Sequence, residues 1–256
     1  MLLKELMSYK LTLTKSDIQV KQQLFQQKSL GIKSLPGYEP YFHRSADAGQ
    51  NLFILTGEDK SEIKPATWTL LPTKKPKETG EKERHVEYEL SNIDAEKVFT
   101  DPLYKENIEK KRCLILADGF FEPFWTHGEA LPIYVYQYNH ELFCMAGTYE
   151  KIADDIYTCS LITTRPNVVF DNQLFLKKKY QLSRIPLILD ALYYDDWLND
   201  ATDIKAISQI LKWGFARKEI KVHAVGHKIC GSKTYNKPDA IKPIPHAEVK
   251  TSRELF

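Results

Sequence analysis

The chain has 256 residues, 43% of them apolar and 27% charged, which describes a globular protein and excludes a disordered or fibrous one. Its formal net charge is only +2, so nucleic-acid binding would need a locally basic face. No run approaches the roughly 18 consecutive apolar residues of a membrane span, and MLLKELMSYK is too short in its apolar run for a signal peptide. A cytoplasmic protein without a membrane partner is expected.

In chain order, the first predicted element is a helix. Ser16 is placed to cap it, with Gln19 three residues later as the capping-box partner. Ile18, Leu24 and Phe25 are its expected core residues, and it should fade near Ser29. A loop marked by Pro36, Gly37 and Pro40 follows, then strands over Asn51–Thr56 and Thr67–Leu71. The stretch Lys74–Arg84 mixes Lys, Glu, Pro and Gly and reads as an exposed loop. The middle of the chain is strongly β, with runs rich in β-branched and aromatic residues at Cys113–Ala117, Ile133–Tyr138, Leu142–Gly147 and Tyr157–Thr163. Asn139-His140 fits a tight hairpin turn between two of them. Ile204, Ile207, Ile210 and Leu211 recur at helical spacing and stop at Gly214.

Four cysteines (Cys113, Cys144, Cys159, Cys230) lie far apart without a C-x-x-C pair. Three fall in apolar, strand-like runs, where buried free thiols are expected, with neither disulfide nor zinc. These features together predict an α+β fold: a single β-rich domain of antiparallel, barrel-like sheets with a few flanking helices. The expected organisation is an extension at 1–6, a domain at 7–240 and a loose tail at 241–256. No metal or other cofactor is implied.

The segment Arg112-Cys-Leu-Ile-Leu-Ala-Asp118-Gly-Phe-Phe-Glu122-Pro resembles the core signature of the SOS-response-associated peptidase family, R-C-L-(I/V)-P-A-D-G-(F/Y)-(Y/F)-E-W. Further blocks follow in the family's order. Trp68-Thr-Leu-Leu-Pro72 resembles W-G-L-(I/V)-P, and Asn92-Ile-Asp94-Ala-Glu96 resembles N-A-R-x-E. Phe143-Cys-Met-Ala-Gly147-Thr-Tyr-Glu150 is similar to F-A-F-A-G-L-W-(E/D). Leu161-Ile-Thr163-Thr164 and Arg184-Ile-Pro186-Leu-Ile-Leu resemble I-I-T-T and R-M-P-V-I-L. The likeness runs from about Met7 to Ala240.

The resemblance implies a partner, single-stranded DNA with abasic sites, and a monomeric protein that attaches covalently to the damage. In the family, a cysteine exposed by removal of the initiator methionine supplies an α-amine that forms an imine with the ring-opened sugar, and a thiol that closes the ring. A carboxylic acid assists sugar opening, a histidine moves protons and an asparagine orients the reacting end. Here Met7-Ser8-Tyr9-Lys10 matches the family's Met-Cys-x-Arg start, so Ser8 stands in place of the cysteine. A hydroxyl is a far weaker nucleophile than a thiolate. Asn92 and Glu122 match the family's asparagine and acid, and the flanking phenylalanines imply an apolar pocket that would raise the Glu122 pKa. The family's histidine is absent from Asn172–Ser183. Asp94 stands where the family has an arginine that contacts phosphate.

Lys10, Trp68, Thr164 and Arg184 fall on the family's DNA-contacting pattern. Lys10 replaces an arginine, and Trp68 would stack on a base or belong to the core. Lys177-Lys178-Lys179-Tyr180 is an additional basic patch or a solvated loop. Ser8, Asn92 and Glu122 are thus the candidate catalytic residues. The leading expectation is DNA recognition with weakened or lost cross-linking. The alternatives are an amine-dependent lyase or self-processing peptidase acting after cleavage before Ser8, and a repurposed paralogue that binds no DNA.

Overall fold

The computed structural model describes residues 10–69, 91–126, 129–165, 184–216, 219–231 and 234–245. Met7, Ser8, the Lys74–Arg84 stretch and the Lys177–Tyr180 patch lie outside them.

The strands form two sheets. The first has the order β13-β8-β7-β1-β2, built from Ile220–Ala224 (β13), Glu129–Gln137 (β8), Gly119–Thr126 (β7), Lys10–Leu13 (β1) and Tyr41–Ser45 (β2), and every pairing is antiparallel. The second contains a closed ring: Asn51–Thr56 (β3) pairs Ile63–Trp68 (β4) and Arg112–Ala117 (β6), and β6 pairs Phe143–Ala153 (β9). Ile156–Thr164 (β10) joins β9 antiparallel and β4 parallel, which closes a five-stranded barrel with no free edge within the ring. Asn92–Asp94 (β5) and Ile185–Pro186 (β11) add to β10, and Ile188–Leu189 (β12) adds to β9. The barrel-like, antiparallel α+β architecture expected from the strand pattern is therefore present.

One continuous core joins the two sheets, with Leu11, Phe120 and Val135 from the first and Ile54, Leu114, Met145 and Leu161 from the second. Cys113, Cys144 and Cys159 are buried free thiols within it. A smaller cluster on the opposite face of the first sheet gathers Phe121, Tyr134, Val225, Ile229 and Ala240.

The helix Asp17–Lys28 (α1) carries the expected capping box at Ser16 and Gln19 and ends at Ser29 in the left-handed conformation. Its inward face differs from the expectation. Val20 and Leu24 are buried, whereas Ile18 and Phe25 are both 61% exposed. The chain next forms α2 (Pro102–Lys110), α3 (Tyr194–Leu198), α4 (Ile204–Trp213) and α5 (Lys228–Gly231). In α4, Asp203 caps the start, Ile207, Ile210 and Leu211 face inward, and Ile204 is half exposed. The strand expected at Thr67–Leu71 begins earlier, at Ile63.

Asn139 and His140 both have positive φ (65° and 52°), as a tight turn requires, but they close no hairpin. The strands they join pair with different neighbours, β8 with β7 and β13, and β9 with β6, β10 and β12. The turn is a corner between the sheets.

Candidate functional site

The signature segment divides into structural and chemical parts. Arg112, 2% exposed, staples two helices to β6: Nε donates to the Trp197 carbonyl at 2.7 Å and a terminal nitrogen donates to the Ile108 carbonyl at 2.8 Å. Asp118, equally buried, accepts from Thr12 Oγ1 (2.7 Å), the Thr14 amide (2.7 Å) and Thr14 Oγ1 (2.6 Å), which locks β1 beside β7. Gly119 leaves room for the Tyr134 ring on β8, since a Cβ there would lie 2.1 Å from the phenol oxygen. These residues align the strand that carries Glu122.

Glu122 sits on β7 opposite Ile133. Strand alternation places it on the Phe120 side, toward the main core, while Phe121 faces the smaller cluster. It is 8% exposed, and its Oε1 has no partner among the described residues. Burial raises its pKa from 4.5 to about 8, with the nearby positive charge of Lys10 opposing. A carboxyl in this state is mostly protonated at neutral pH and can donate a proton.

Lys10 lies across from Phe121 and Ser45 and is 6% exposed, so its side chain leaves the sheet on the face opposite Glu122. On that face is His43, which the sequence reading did not single out. His43 is fully buried, both ring nitrogens lack a partner among the described residues, and its ring meets Phe121 edge-on at 6.0 Å. Burial first, then the Lys10 charge, lowers its pKa to about 4, so the ring is neutral. The alternation Tyr41-Phe42-His43-Arg44 was the available signal, but a lone histidine in a short strand carries no spacing pattern to mark it.

A second group gathers at the end of β10. Asn92 pairs with Leu161 and Asp94 with Thr163, so both side chains lie on one face of β5. The amide oxygen and nitrogen of Asn92 are both buried and unpartnered among the described residues. Buried amides are almost always satisfied, so this pair of polar atoms makes Asn92 a candidate for contact with a polar group. Arg184 precedes β11 and reaches across β10. Its Nε donates to Thr163 Oγ1 at 2.9 Å and pairs with Asp94 Oδ1 at 2.8 Å. A terminal nitrogen donates to the Thr163 carbonyl at 2.7 Å and to Glu96 Oε2 at 2.6 Å. Thr164, the next residue of β10, is half-buried.

Trp68 requires a correction. It is fully buried in the main core, with Nε1 donating to the Ser91 carbonyl at 3.0 Å and Ser91 Oγ returning to the Trp68 carbonyl at 3.4 Å. Fully buried in the core, the ring has no exposed face for a base to stack on. Arg184 thus meets Thr163, Asp94 and Glu96 beside Asn92, whereas Thr164 turns to the other face of β10, and Lys10 and Glu122 leave the adjacent strands β1 and β7 on opposite faces. Ser8 lies outside the described residues. An open cleft of about 270 Å³ lined by Gly57, Lys60, Lys111, Tyr149 and Asp200, among others, contains none of the candidates. Among the described residues, no group of three or more His, Cys, Asp or Glu side chains is placed to hold a metal ion.

Residues 7–231, including the buried acid and the unpartnered amide, match the SOS response associated peptidase (SRAP) family. The chain belongs to this family. Among SRAP relatives, it is 28% identical to the abasic site processing protein YoaM of Bacillus subtilis over 63% of this chain and 67% of that one. It is 25% identical to the abasic site processing protein YoqW of the same organism over 80% and 87%. A crystal structure of a protein from Bacteroides thetaiotaomicron superposes with a TM-score of 0.72 at 22% identity, covering 92% of this chain and 99% of that one, so the two share a fold. Among the described residues, no helix is long and apolar enough to cross a membrane.

Proposed function

We propose that this protein recognises abasic sites in single-stranded DNA, as a cytoplasmic monomer whose capacity for covalent attachment is weakened or lost. The observation that carries the proposal is Glu122, a carboxyl held largely protonated at neutral pH by its apolar surroundings in a chain of the SRAP family. The names of the relatives, abasic site processing proteins, supply the substrate class.

In this reading Glu122 donates its proton to the ring oxygen of the abasic sugar as the C–O bond breaks, and the anomeric hydroxyl gives up its proton to solvent, which releases the aldehyde. Asn92 binds the opened sugar through an amide that has no other described partner. An amine at the position of Ser8 would form an imine with loss of water, but the serine hydroxyl closes the ring poorly where a thiolate would trap it. Lys10 and Arg184 supply positive charge for the backbone. Lys10 is nearly buried, so its contribution is a field near the acid more than an exposed phosphate contact.

Denaturing-gel trapping with abasic single-stranded DNA, with and without borohydride, tests the proposal, with a Ser8→Cys variant beginning at Met7 alongside. An adduct from the variant alone is the expected result and means that the pocket persists without its nucleophile. A borohydride-dependent adduct from the wild type would instead show a working lyase-type amine. Silence from both, together with no salt-sensitive DNA binding, would refute the DNA reading and leave a family fold used for another ligand.

A further inference from the structure

Asp94 holds an acidic side chain against the guanidinium that the proposed function assigns to the DNA backbone. Arg184 is met by Asp94 at 2.8 Å and Glu96 at 2.6 Å, and it also donates to the hydroxyl and carbonyl of Thr163. The arginine side chain is 21% exposed, and its planar fork fits carboxylate and phosphate oxygens alike. An oxygen of Asp94 at 2.8 Å therefore occupies a donor that a phosphate oxygen would otherwise take.

Two further cations flank the carboxylates from outside. Lys97 Nζ lies 3.2 Å from Asp94, and Arg165 Nε lies 3.9 Å from Glu96 with its side chain 82% exposed. The five groups are three cations and two anions, so the cluster carries a net charge of only +1. It also adjoins the unpartnered amide: Asn92 is two residues before Asp94 on the same face of β5, about 7 Å away along a strand. A ligand seated on Asn92 would bring its backbone to this latch.

We propose that Asp94, assisted by Glu96, sets the affinity and salt dependence of DNA binding by competing intramolecularly with phosphate for Arg184. This rests on the DNA-binding reading above. The latch makes the surface selective: a single phosphodiester must displace a carboxylate already in place, so weak backbone contacts are rejected and a ligand that also fills the Asn92 site is favoured.

The test is fluorescence anisotropy of the full chain with single-stranded DNA carrying a tetrahydrofuran abasic analogue, which cannot react, at several salt concentrations. Asp94→Asn keeps the side-chain volume and leaves Thr163 to hold Arg184. It is expected to bind about three- to fivefold tighter at low salt, the range of a half-exposed ion pair. Its log–log salt slope should steepen by about 0.7, one additional phosphate on a single strand. Glu96→Gln, at a more exposed position, should act in the same direction. The gain should vanish in the Asp94→Asn/Arg184→Ala double variant. Wild-type binding that is salt-sensitive but unchanged or weakened in both Asp94→Asn and Glu96→Gln would overturn the latch and leave Arg184 a structural staple, with the DNA reading intact. No salt-sensitive binding by wild type or variants would overturn the DNA reading and the latch with it.

Discussion

Replacing Glu122 with Gln removes an acid but keeps its size and shape, and so isolates the energetic consequence of burying a carboxyl. The folded pKa is raised to about 8 from 4.5, chiefly by desolvation. A raised pKa means that the folded state binds the proton more tightly than the unfolded state, so stability falls as pH climbs from 4.5 through 8. The penalty is nearly absent below pH 4.5. It reaches about 3 kcal/mol at pH 7 and about 5 kcal/mol at pH 9, from the difference in titration between the two states. Glutamine mimics the protonated acid, so Glu122→Gln should match the wild type near pH 4.5 and exceed it increasingly above. Denaturant unfolding of both proteins between about pH 5 and pH 9 reads this directly as a diverging difference in midpoint. Unfolding curves that stay parallel across that range would refute the burial argument, and with it the reason for calling Glu122 a proton donor. In the Ser8→Cys background, the same substitution should slow adduct formation at pH 7. Wild-type Glu122 in that background should lose its advantage as pH passes 8.

Three other substitutions separate structural from functional roles. Asn92→Leu removes an amide with no described partner, so thermal stability should hold or rise by about 1 kcal/mol while abasic-DNA affinity falls by anisotropy. Trp68→Ala should lower stability by about 3–5 kcal/mol in denaturant titration, yet leave the salt slope of DNA binding by the remaining folded protein unchanged, because the ring is core. Gly119→Ala places a Cβ 2.1 Å from the Tyr134 oxygen and should cost about 1–3 kcal/mol by forcing the ring aside.

Elements whose information is local were legible in the sequence. The capping box at Ser16 and Gln19 fixes the start of α1 through two reciprocal hydrogen bonds within four residues, and β3 has the predicted ends because its whole apolar run is buried. Where apolar residues sit on more than one side of an element, periodicity alone could not choose. In α1, Val20 and Leu24 win the core, and Ile18 and Phe25, seven residues apart, form the outer stripe. The strand β7 was hidden by Pro123, which reads as a breaker. It is accommodated opposite Pro132 of β8, so the two residues lacking an amide donor face each other. The Asn139 turn shows the same limit from the other side: its positive φ was predictable from residue type, but which strands flank it in space was not.

The candidate site divides along the same line. Glu122 and Asn92 were singled out because they lie in blocks with a fixed order of residue types, and the structure adds what order cannot: one is desolvated and the other has an amide without a partner among the described residues. His43 and the Arg184 latch depend on contacts between segments far apart in the chain, Lys10 with His43 and Arg184 with Asp94 and Glu96. Asp94 read alone is a repulsive charge near a backbone-binding surface. Paired with Arg184 it becomes a competitor whose strength depends on salt and on what occupies the neighbouring amide. A substitution that looks like decay in the sequence is therefore, in three dimensions, one half of an ion pair, and its effect on binding follows from the partner it holds.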